Sequence, residues 1–584
     1  MTAANPSHAL ALTVVDEFAR HGLTDAVLAP GSRSAALAMA LHDDPRVRVH
    51  VQIDERSAGF VALGLGKATG RPAVVLTTSG TATTNLHPAV VEAHQARVPL
   101  LALTADRPPE LRHTAANQTI DQLKLFGDHV RWFVEVGIAE DRPGVDDYWR
   151  STASRLWAEA LGVRGPAGPV HANLTFREPL VALADVGHAP SAAFTQRLDG
   201  RGHARPWTVV ARAARPAPQA AVEALAGRIA DTERGLLVVG DTAAPPGPIV
   251  DLAHAAGWPL IAEPLSSART GRYAISTAHA LLDHPPFAAA HRPDLVVRIG
   301  RTVLSRTVEG HLGPDVPQVV FDPDGVWLDP RRVVGQLLVA DPALACEALT
   351  AALAGARTSG WLEAWLRSER VARTTLDALL DGSASPSEPR TARDVAAAVP
   401  SGGTLVVASS RPVRDLDLAM APRDGVRVLA NRGASGIDGF VSTALGVALA
   451  TAPAPTVALA GDLSLLHDAN GLLLRAHAGE VDLPLVVVNN DGGGIFHFLP
   501  QARFPASFER VFATPHGLDL ADLARLHRLA HTRITRADEL TPALAAAAAA
   551  GGIHLIEVRT DREETVALHR RIHAEIAAAL DRLP

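Results

Sequence analysis

Two short runs near the carboxy terminus combine residue types that bind ions: GDLSLLHD (461–468) and VVVNNDGGGIF (486–496). In the first, an apolar run ends in Gly461-Asp462; in the second, another ends in Asn489-Asn490, followed by Asp491 and three glycines. A strand that only had to stop could use one turn residue, so the paired amides ask for a chemical reason. A carboxylate from Asp462 and an amide oxygen from Asn490 are hard ligands suited to Mg²⁺, with Mn²⁺ as the alternative. Glycine lets the backbone approach closely, so a main-chain carbonyl at Gly492 completes a metal set of Asp462, Asn490 and Gly492. A helix opening near Ser464 would aim free N–H groups at the same place, where a phosphate is favoured. Metal, helix N-terminus and close backbone together describe a magnesium–diphosphate site.

Asp462 and Asn490 are distant in sequence, and only one arrangement of elements brings them together. If both apolar runs are parallel strands joined by a crossover, their carboxy ends lie on one edge of a sheet. The middle of the chain supplies a control. There LLVVGD ends at Asp241, and at the matching distance beyond it stands Arg269 with no paired amides. Gly-Asp after a strand is therefore weak by itself, and Gly-Asp followed by Asn-Asn-x-Gly is strong.

The same alternation of short β-branched runs with Ala/Leu-rich helical stretches fills the whole chain, the pattern of parallel α/β domains. AVLAP, VRVHVQID, AVVLTTSG, PLLALTAD and PVHANLTF read as strands of a first domain, 1–185. GLLVVGD, PLIAEP, DLVVRIG, QVVFDPD and QLLVAD belong to a second, 205–375, and TLVVASS, VRVLANRG, TVALAGD, LPLVVVNN and IHLIEV to a third, 390–584. A proline-containing polar stretch from about Ala184 to Pro218 and DGSASPSEPRTA (381–392) read as linkers. The expected fold is α/β, with three consecutive doubly wound parallel-sheet domains. A length of 584 residues fits that number.

Composition narrows the function. The formal net charge of -7 argues against a general nucleic-acid or acidic-membrane binder, and no apolar run is long enough to span a bilayer. The first residues lack a basic n-region and read as a helix rather than a signal peptide, so a cytoplasmic protein is expected. One cysteine, Cys346, excludes an internal disulfide and a cysteine metal cluster, and it reads as a small buried residue. Lysine occurs only at Lys67 and Lys124, which weakens Schiff-base chemistry. The 25 histidines form no metal-ligand spacing. His467 and Asp468 read as helix packing and capping, and GLGK (64–67) as an incomplete P-loop pattern that reflects helix packing.

GDLSLLHD through VVVNNDGGG resembles the diphosphate motif of thiamine-diphosphate enzymes, with Leu463 where the motif often has Gly. The resemblance implies the decarboxylase type of that fold, with pyrimidine-binding, central and diphosphate-binding domains. It also implies a glutamate against the cofactor pyrimidine across a dimer interface, and VQIDERSAGF offers Glu55. A carboxyl there favours the imino tautomer, whose nitrogen takes up a proton.

Further segments carry a closer resemblance: APGSRS (29–34), TTSGTATTNLHPAVVEA (77–93), TADRPPELRHTAANQTIDQ (104–122) and NRGASGIDGF (431–440). Together they are similar to the 2-succinyl-5-enolpyruvyl-6-hydroxy-3-cyclohexene-1-carboxylate synthase family of menaquinone biosynthesis, through the first and last domains. That family decarboxylates 2-oxoglutarate and adds the succinyl unit to isochorismate in a 1,4 sense. Both substrates are dianions, which suits guanidinium groups. The resemblance implies Arg33, Arg107, Arg414 and Arg432 as anion contacts beside Ser32, Asn117 and Gln118. It implies Thr78, Gln118, Ser410, Ile437, Gly461, Asp462, Leu463, Ser464, Asn490, Gly492 and Gly493 at the cofactor, and Ile495 and Phe496 as an apolar wall. Arg306 is a weaker candidate from the middle domain. A homodimer or dimer of dimers, with active sites between chains, is expected. The alternatives are another thiamine-dependent 2-oxoacid decarboxylase, an acetolactate-type carboligase, or a non-catalytic cofactor-binding protein.

Overall fold

The computed structural model describes residues 3–181, 194–353, 355, 358–474, 479 and 481–583. Among these are three all-parallel sheets. The first holds β1 (Asp25–Leu28), β2 (Arg48–Val51), β3 (Ala73–Thr77), β4 (Leu100–Asp106), β5 (Phe133–Ile138) and β6 (Pro169–Thr175), in the order β2-β1-β3-β4-β6-β5. The second holds β7 (Gly235–Val239), β8 (Leu260–Ala262), β9 (Leu295–Ile299), β10 (Gln318–Phe321) and β11 (Gln336–Leu338), in the order β11-β10-β9-β7-β8. The third holds β12 (Thr404–Val407), β13 (Arg427–Leu429), β14 (Thr456–Gly461), β15 (Leu483–Asn489), β16 (Ala530–Ile534) and β17 (Ile553–Arg559), in the order β13-β12-β14-β15-β17-β16. The first and third sheets thus share one topology, although their sequences show no repeat.

Most interior strands read as near-continuous apolar runs because both faces of the sheet are covered. In β3, Val74 and Leu76 enter one buried cluster with Leu10, Val14 and Phe18 of the helix Pro6–Arg20. Val75, between them, enters another with Phe60 and Val61 of the helix Glu55–Thr69. Side chains alternate along a strand, so the two clusters lie on opposite faces, the doubly wound arrangement.

The described chain gathers into two compact units. One comprises Met1–Arg212, Asn431–Pro453 and Ser464–Asp482; the other comprises Ala213–Ala430, Ala454–Leu463 and Leu483–Pro584. The helix Phe440–Thr451 belongs with the first sheet because it packs on the helix Glu55–Thr69 at very short range. A Cβ at Gly64 would lie 2.2 Å from the Thr443 carbonyl oxygen, and one at Gly446 would lie 2.1 Å from that of Val61. Gly64 of GLGK is thus a helix contact, while a Cβ at Gly66 would lie 2.6 Å from the Pro99 carbonyl oxygen.

Several details differ from expectation. Part of the first linker, 184–193, lies outside the described residues. Beyond it Leu198 is fully buried, and its carbonyl accepts from Arg150 Nη2 at 2.7 Å, so this stretch is a packed strap. Within 381–392 the helix Glu388–Ala398 already begins. The helix expected from Ser464 starts two residues earlier, as Asp462–His467, because Asp462 occupies its first position. Strands β5 and β16 have no counterpart in the sequence reading. Cys346, by contrast, is fully buried as expected, and burial pushes its thiol up to about 12.

Candidate active site

Strands β14 and β15 are neighbours, with Gly461 opposite Val488, so Asp462 and Asn490 leave the same edge of the third sheet. Asp462 is 2% exposed. Its Oδ1 accepts the Leu463 N–H at 2.6 Å, and its Oδ2 accepts the Gly492 N–H at 2.9 Å. Burial raises its pKa above the ordinary carboxyl value, against these two N–H groups and His516. Gly492, at φ 136°, has no room for a side chain, since a Cβ there would lie 2.2 Å from the Ala513 carbonyl oxygen. The glycine run therefore folds tightly and returns its backbone to the Asp462 carboxylate.

Asn490 has the decisive feature. Its Nδ2 donates to Glu388 Oε1 at 2.8 Å, while its Oδ1 is buried without a hydrogen-bond partner. A buried acceptor left unpaired costs about 1–3 kcal/mol, so this oxygen is poised for a ligand that the protein does not provide. Among the described residues, no three His, Cys, Asp or Glu side chains gather to hold a metal. A carboxylate, an amide oxygen and a backbone carbonyl on a glycine turn form the donor set of a hard divalent cation, and the residues present fit Mg²⁺.

Two neighbours of this site escaped the sequence reading. Glu388 is 3% exposed, and burial followed by the nearby Asp415 charge raises its carboxyl to about 7, against Arg411, Asn490 and Thr565. Its available signal was Ser387-Glu388-Pro389, a helix-start pattern inside a stretch whose composition suggests a linker. His516 accepts the Leu518 N–H at Nδ1, which leaves its Nε2 as the donor 3.3 Å from Asp462 Oδ2. No spacing pattern in the sequence marks it.

Other candidates of this unit stand at neighbouring strand ends. Ser410, at φ 73°, follows β12, and its carbonyl accepts from Arg414 Nη1 at 2.6 Å. The pair β12 and β14 flanks the topological switch point of the sheet, where ligands of open α/β folds bind. Ile495 and Phe496 are half-buried on the short helix Gly494–Phe498, and Phe496 packs on Phe512 with ring centroids 5.7 Å apart. Arg306 is exposed at the start of the helix Arg306–His311. A cavity of about 570 Å³ beside the helix Arg562–Leu580 is lined in part by Ser383, Ser385 and Thr560 and includes none of the predicted site residues.

In the other unit, Glu55, Thr78, Arg33 and Arg107 stand at or just beyond the carboxy ends of the first sheet's strands. Gly31 presses on Thr78, where a Cβ would lie 2.3 Å from the Thr78 Cβ. Arg33 is 9% exposed; its Nη1 donates to the Phe176 carbonyl at 3.0 Å, and its Nε is buried without a partner. Arg107 Nη1 donates to Ser79 Oγ and to the Gln118 carbonyl. Burial and then the Arg33 charge push the Arg107 guanidinium below its ordinary pKa, so two cations lie close together. Ser32, Asn117 and Gln118 are exposed. Arg432 and Ile437 occupy the 431–439 loop, which the buried Glu92 carboxylate holds through the N–H groups of Gly433 at 2.8 Å and Ala434 at 2.6 Å. Asp468 accepts from Ser57 Oγ at 3.1 Å and from the Ser442 N–H at 2.7 Å, which ties two helices together in a packing role.

Glu55 opens the helix Glu55–Thr69, behind the cap Asp54. Asp54 accepts the N–H groups of Arg56 at 2.9 Å and Ser57 at 3.2 Å. The Glu55 carboxylate has no hydrogen bond or ion pair among the described residues.

Residues 9–125 match the family described as thiamine pyrophosphate enzyme, N-terminal TPP binding domain, and residues 420–558 match the thiamine pyrophosphate enzyme, C-terminal TPP binding domain. The chain is 47% identical to the 2-succinyl-5-enolpyruvyl-6-hydroxy-3-cyclohexene-1-carboxylate synthase of Thermobifida fusca, over 99% of this chain and 100% of that one. It is 43% identical to the synthase of the same name from Saccharopolyspora erythraea, over 99% and 100%. For that of Chloroflexus aurantiacus the identity is also 43%, over 97% and 96%. No described helix is long and apolar enough to cross a membrane. With two thiamine-pyrophosphate domains, and with end-to-end similarity to proteins of one name, the chain belongs to the 2-succinyl-5-enolpyruvyl-6-hydroxy-3-cyclohexene-1-carboxylate synthase family of thiamine pyrophosphate enzymes.

Proposed function

We propose that this chain decarboxylates 2-oxoglutarate and joins the remaining succinyl unit to isochorismate by 1,4-addition, yielding the product for which its relatives are named. The observation that carries the reading is the buried Asp462 carboxylate beside the unpartnered Asn490 Oδ1, in a chain matching those synthases along its length.

Thiamine diphosphate, when bound, supplies the carbon nucleophile and the electron sink for decarboxylation. Asp462, Asn490 and the Gly492 carbonyl would hold Mg²⁺ or Mn²⁺ against its diphosphate. Gly461, Leu463, Ser464 and Gly493 would supply close backbone. Thr78, Gln118, Ser410 and Ile437 would position the rest of the cofactor. Glu55 would hold a proton at the pyrimidine ring, a role that suits a carboxylate without a partner in its own surroundings. Arg33, Arg107, Arg414 and Arg432, with Ser32, Asn117 and Gln118, would bind substrate carboxylates, and Ile495 and Phe496 would keep water from the reacting carbon. The working form is a cytoplasmic homodimer or dimer of dimers, in which Glu55 of one chain serves the cofactor held by its partner.

The test is isochorismate consumption by purified protein with thiamine diphosphate and Mg²⁺, with and without 2-oxoglutarate. Loss that requires 2-oxoglutarate, with matching CO₂ release, is expected. No loss in protein that binds the cofactor would overturn the substrate assignment and favour another 2-oxoacid.

A further inference from the structure

An asparagine amide has two unlike ends, and its orientation decides whether an oxygen or an NH₂ group meets a ligand. In Asn490 the NH₂ end is committed: Nδ2 donates to Glu388 Oε1 at 2.8 Å, and Oδ1 is left buried and unpaired. Glu388 is itself held. It is 3% exposed, it occupies the first turn of the helix Glu388–Ala398, and its Oε1 also accepts from Thr560 Oγ1 at 3.3 Å. With Glu388 ionised, turning the Asn490 amide over would set its oxygen against an accepting oxygen of Glu388 and aim NH₂ donors at the place proposed for the cation.

We infer that Glu388 is a positioning residue for the divalent cation: it fixes the amide of Asn490 so that Oδ1 is the atom presented to the metal. The inference rests on the assignment of Asp462 and Asn490 as metal ligands. Outer partners of this kind are where metal sites gain their orientation, and losing one typically weakens metal binding by about 10–100-fold. Glutamine in place of Glu388 has nearly the same shape but offers both a donor and an acceptor, so it no longer dictates which way Asn490 faces.

The experiment measures Mn²⁺ affinity by electron paramagnetic resonance, using purified protein saturated with thiamine diphosphate, in the parent, Glu388→Gln, Asn490→Ala and the double variant. Glu388→Gln is expected to weaken Mn²⁺ binding about tenfold or more and to add nothing in the Asn490→Ala background. If Asn490→Ala leaves the affinity unchanged, the ligand assignment fails and the inference falls with it. If Asn490→Ala weakens binding and Glu388→Gln does not, or if Glu388→Gln costs as much in both backgrounds, the inference alone is overturned. Glu388→Gln combined with Asn490→Asp exchanges donor and acceptor across the bond and covers the case where the single variant does not fold. Recovery of Mn²⁺ affinity to within a few-fold of the parent supports the inference, and a persistent tenfold loss overturns it.

Discussion

Gly64 and Gly446 lie at the contact of two helices, and each leaves the space that the other helix's backbone fills. A Cβ at Gly64 would stand 2.2 Å from the Thr443 carbonyl oxygen, and one at Gly446 would stand 2.1 Å from that of Val61. Neither obstacle is a side chain that can swing away, so the helices must separate to admit a methyl group. Gly64→Ala and Gly446→Ala should each destabilise the protein by about 1–3 kcal/mol, read from urea unfolding. The double variant should cost less than the sum, because one separation relieves both clashes.

Glu92 holds the 431–439 loop through two backbone N–H groups and is itself only 3% exposed. Glu92→Gln keeps the shape but turns an NH₂ group toward one of those donors. We expect a loss of about 2 kcal/mol, since hydrogen bonds to charged groups are the stronger ones. Hydrogen exchange should speed up at Gly433 and Ala434 while the core of β15 stays protected. If Arg432 and Ile437 contact substrate and cofactor, the KM for 2-oxoglutarate rises as well.

Legibility from sequence followed burial. Strand β15 is buried along its whole length, so LPLVVVN announces itself, and the interior strands of all three sheets do the same. The two unread strands, β5 and β16, are sheet edges with partly exposed residues, and AHTRI contains no apolar run. At the site, Asp462 and Asn490 were legible because a carboxylate and an amide stood where two strands had to end. Glu388 was not, because its Ser/Pro-rich surroundings match a linker in composition and its burial depends on packing against the end of β15. Glu92 was not, because an acid within a helix normally faces water, and only the tertiary fold brings backbone donors to it.

Burial also predicts how the protein responds to acid. His171 in β6 is fully buried, with Nε2 2.7 Å from Thr104 Oγ1, and desolvation lowers its pKa from 6.5 to about 3. The folded state keeps this ring neutral, while the unfolded chain takes up a proton below 6.5. The unfolded state therefore binds more protons in that window, and stability is lost as pH falls from 6.5 towards 3. One such group removes about 1.4 kcal/mol per pH unit. Urea unfolding at about pH 7.5 and about pH 5 should show a smaller difference in His171→Gln than in the parent, by about 2 kcal/mol. Residual acid sensitivity should persist, since burial also lowers the pKa values of His279 and His569.

Asp54 and Glu55 are adjacent acids with opposite employment, and the contrast gives the sharpest test of the active-site assignment. Asp54 is spent on structure: its Oδ1 caps the helix, and its Oδ2 accepts from Asn470 Nδ2 at 2.8 Å. Asp54→Ala should cost about 1 kcal/mol or more of stability, as lost N-caps do. Glu55 has no side-chain partner among the described residues, so Glu55→Gln should leave the unfolding transition nearly where it was. Its effect belongs to turnover. Loss of a positioned acid–base group typically costs about 10²–10⁴-fold, and isochorismate consumption should fall within that range while calorimetry still detects thiamine diphosphate binding. A Glu55→Gln protein that kept the parent's rate would remove Glu55 from the chemistry. One that lost rate and stability together would assign Glu55 a structural role like that of Asp54.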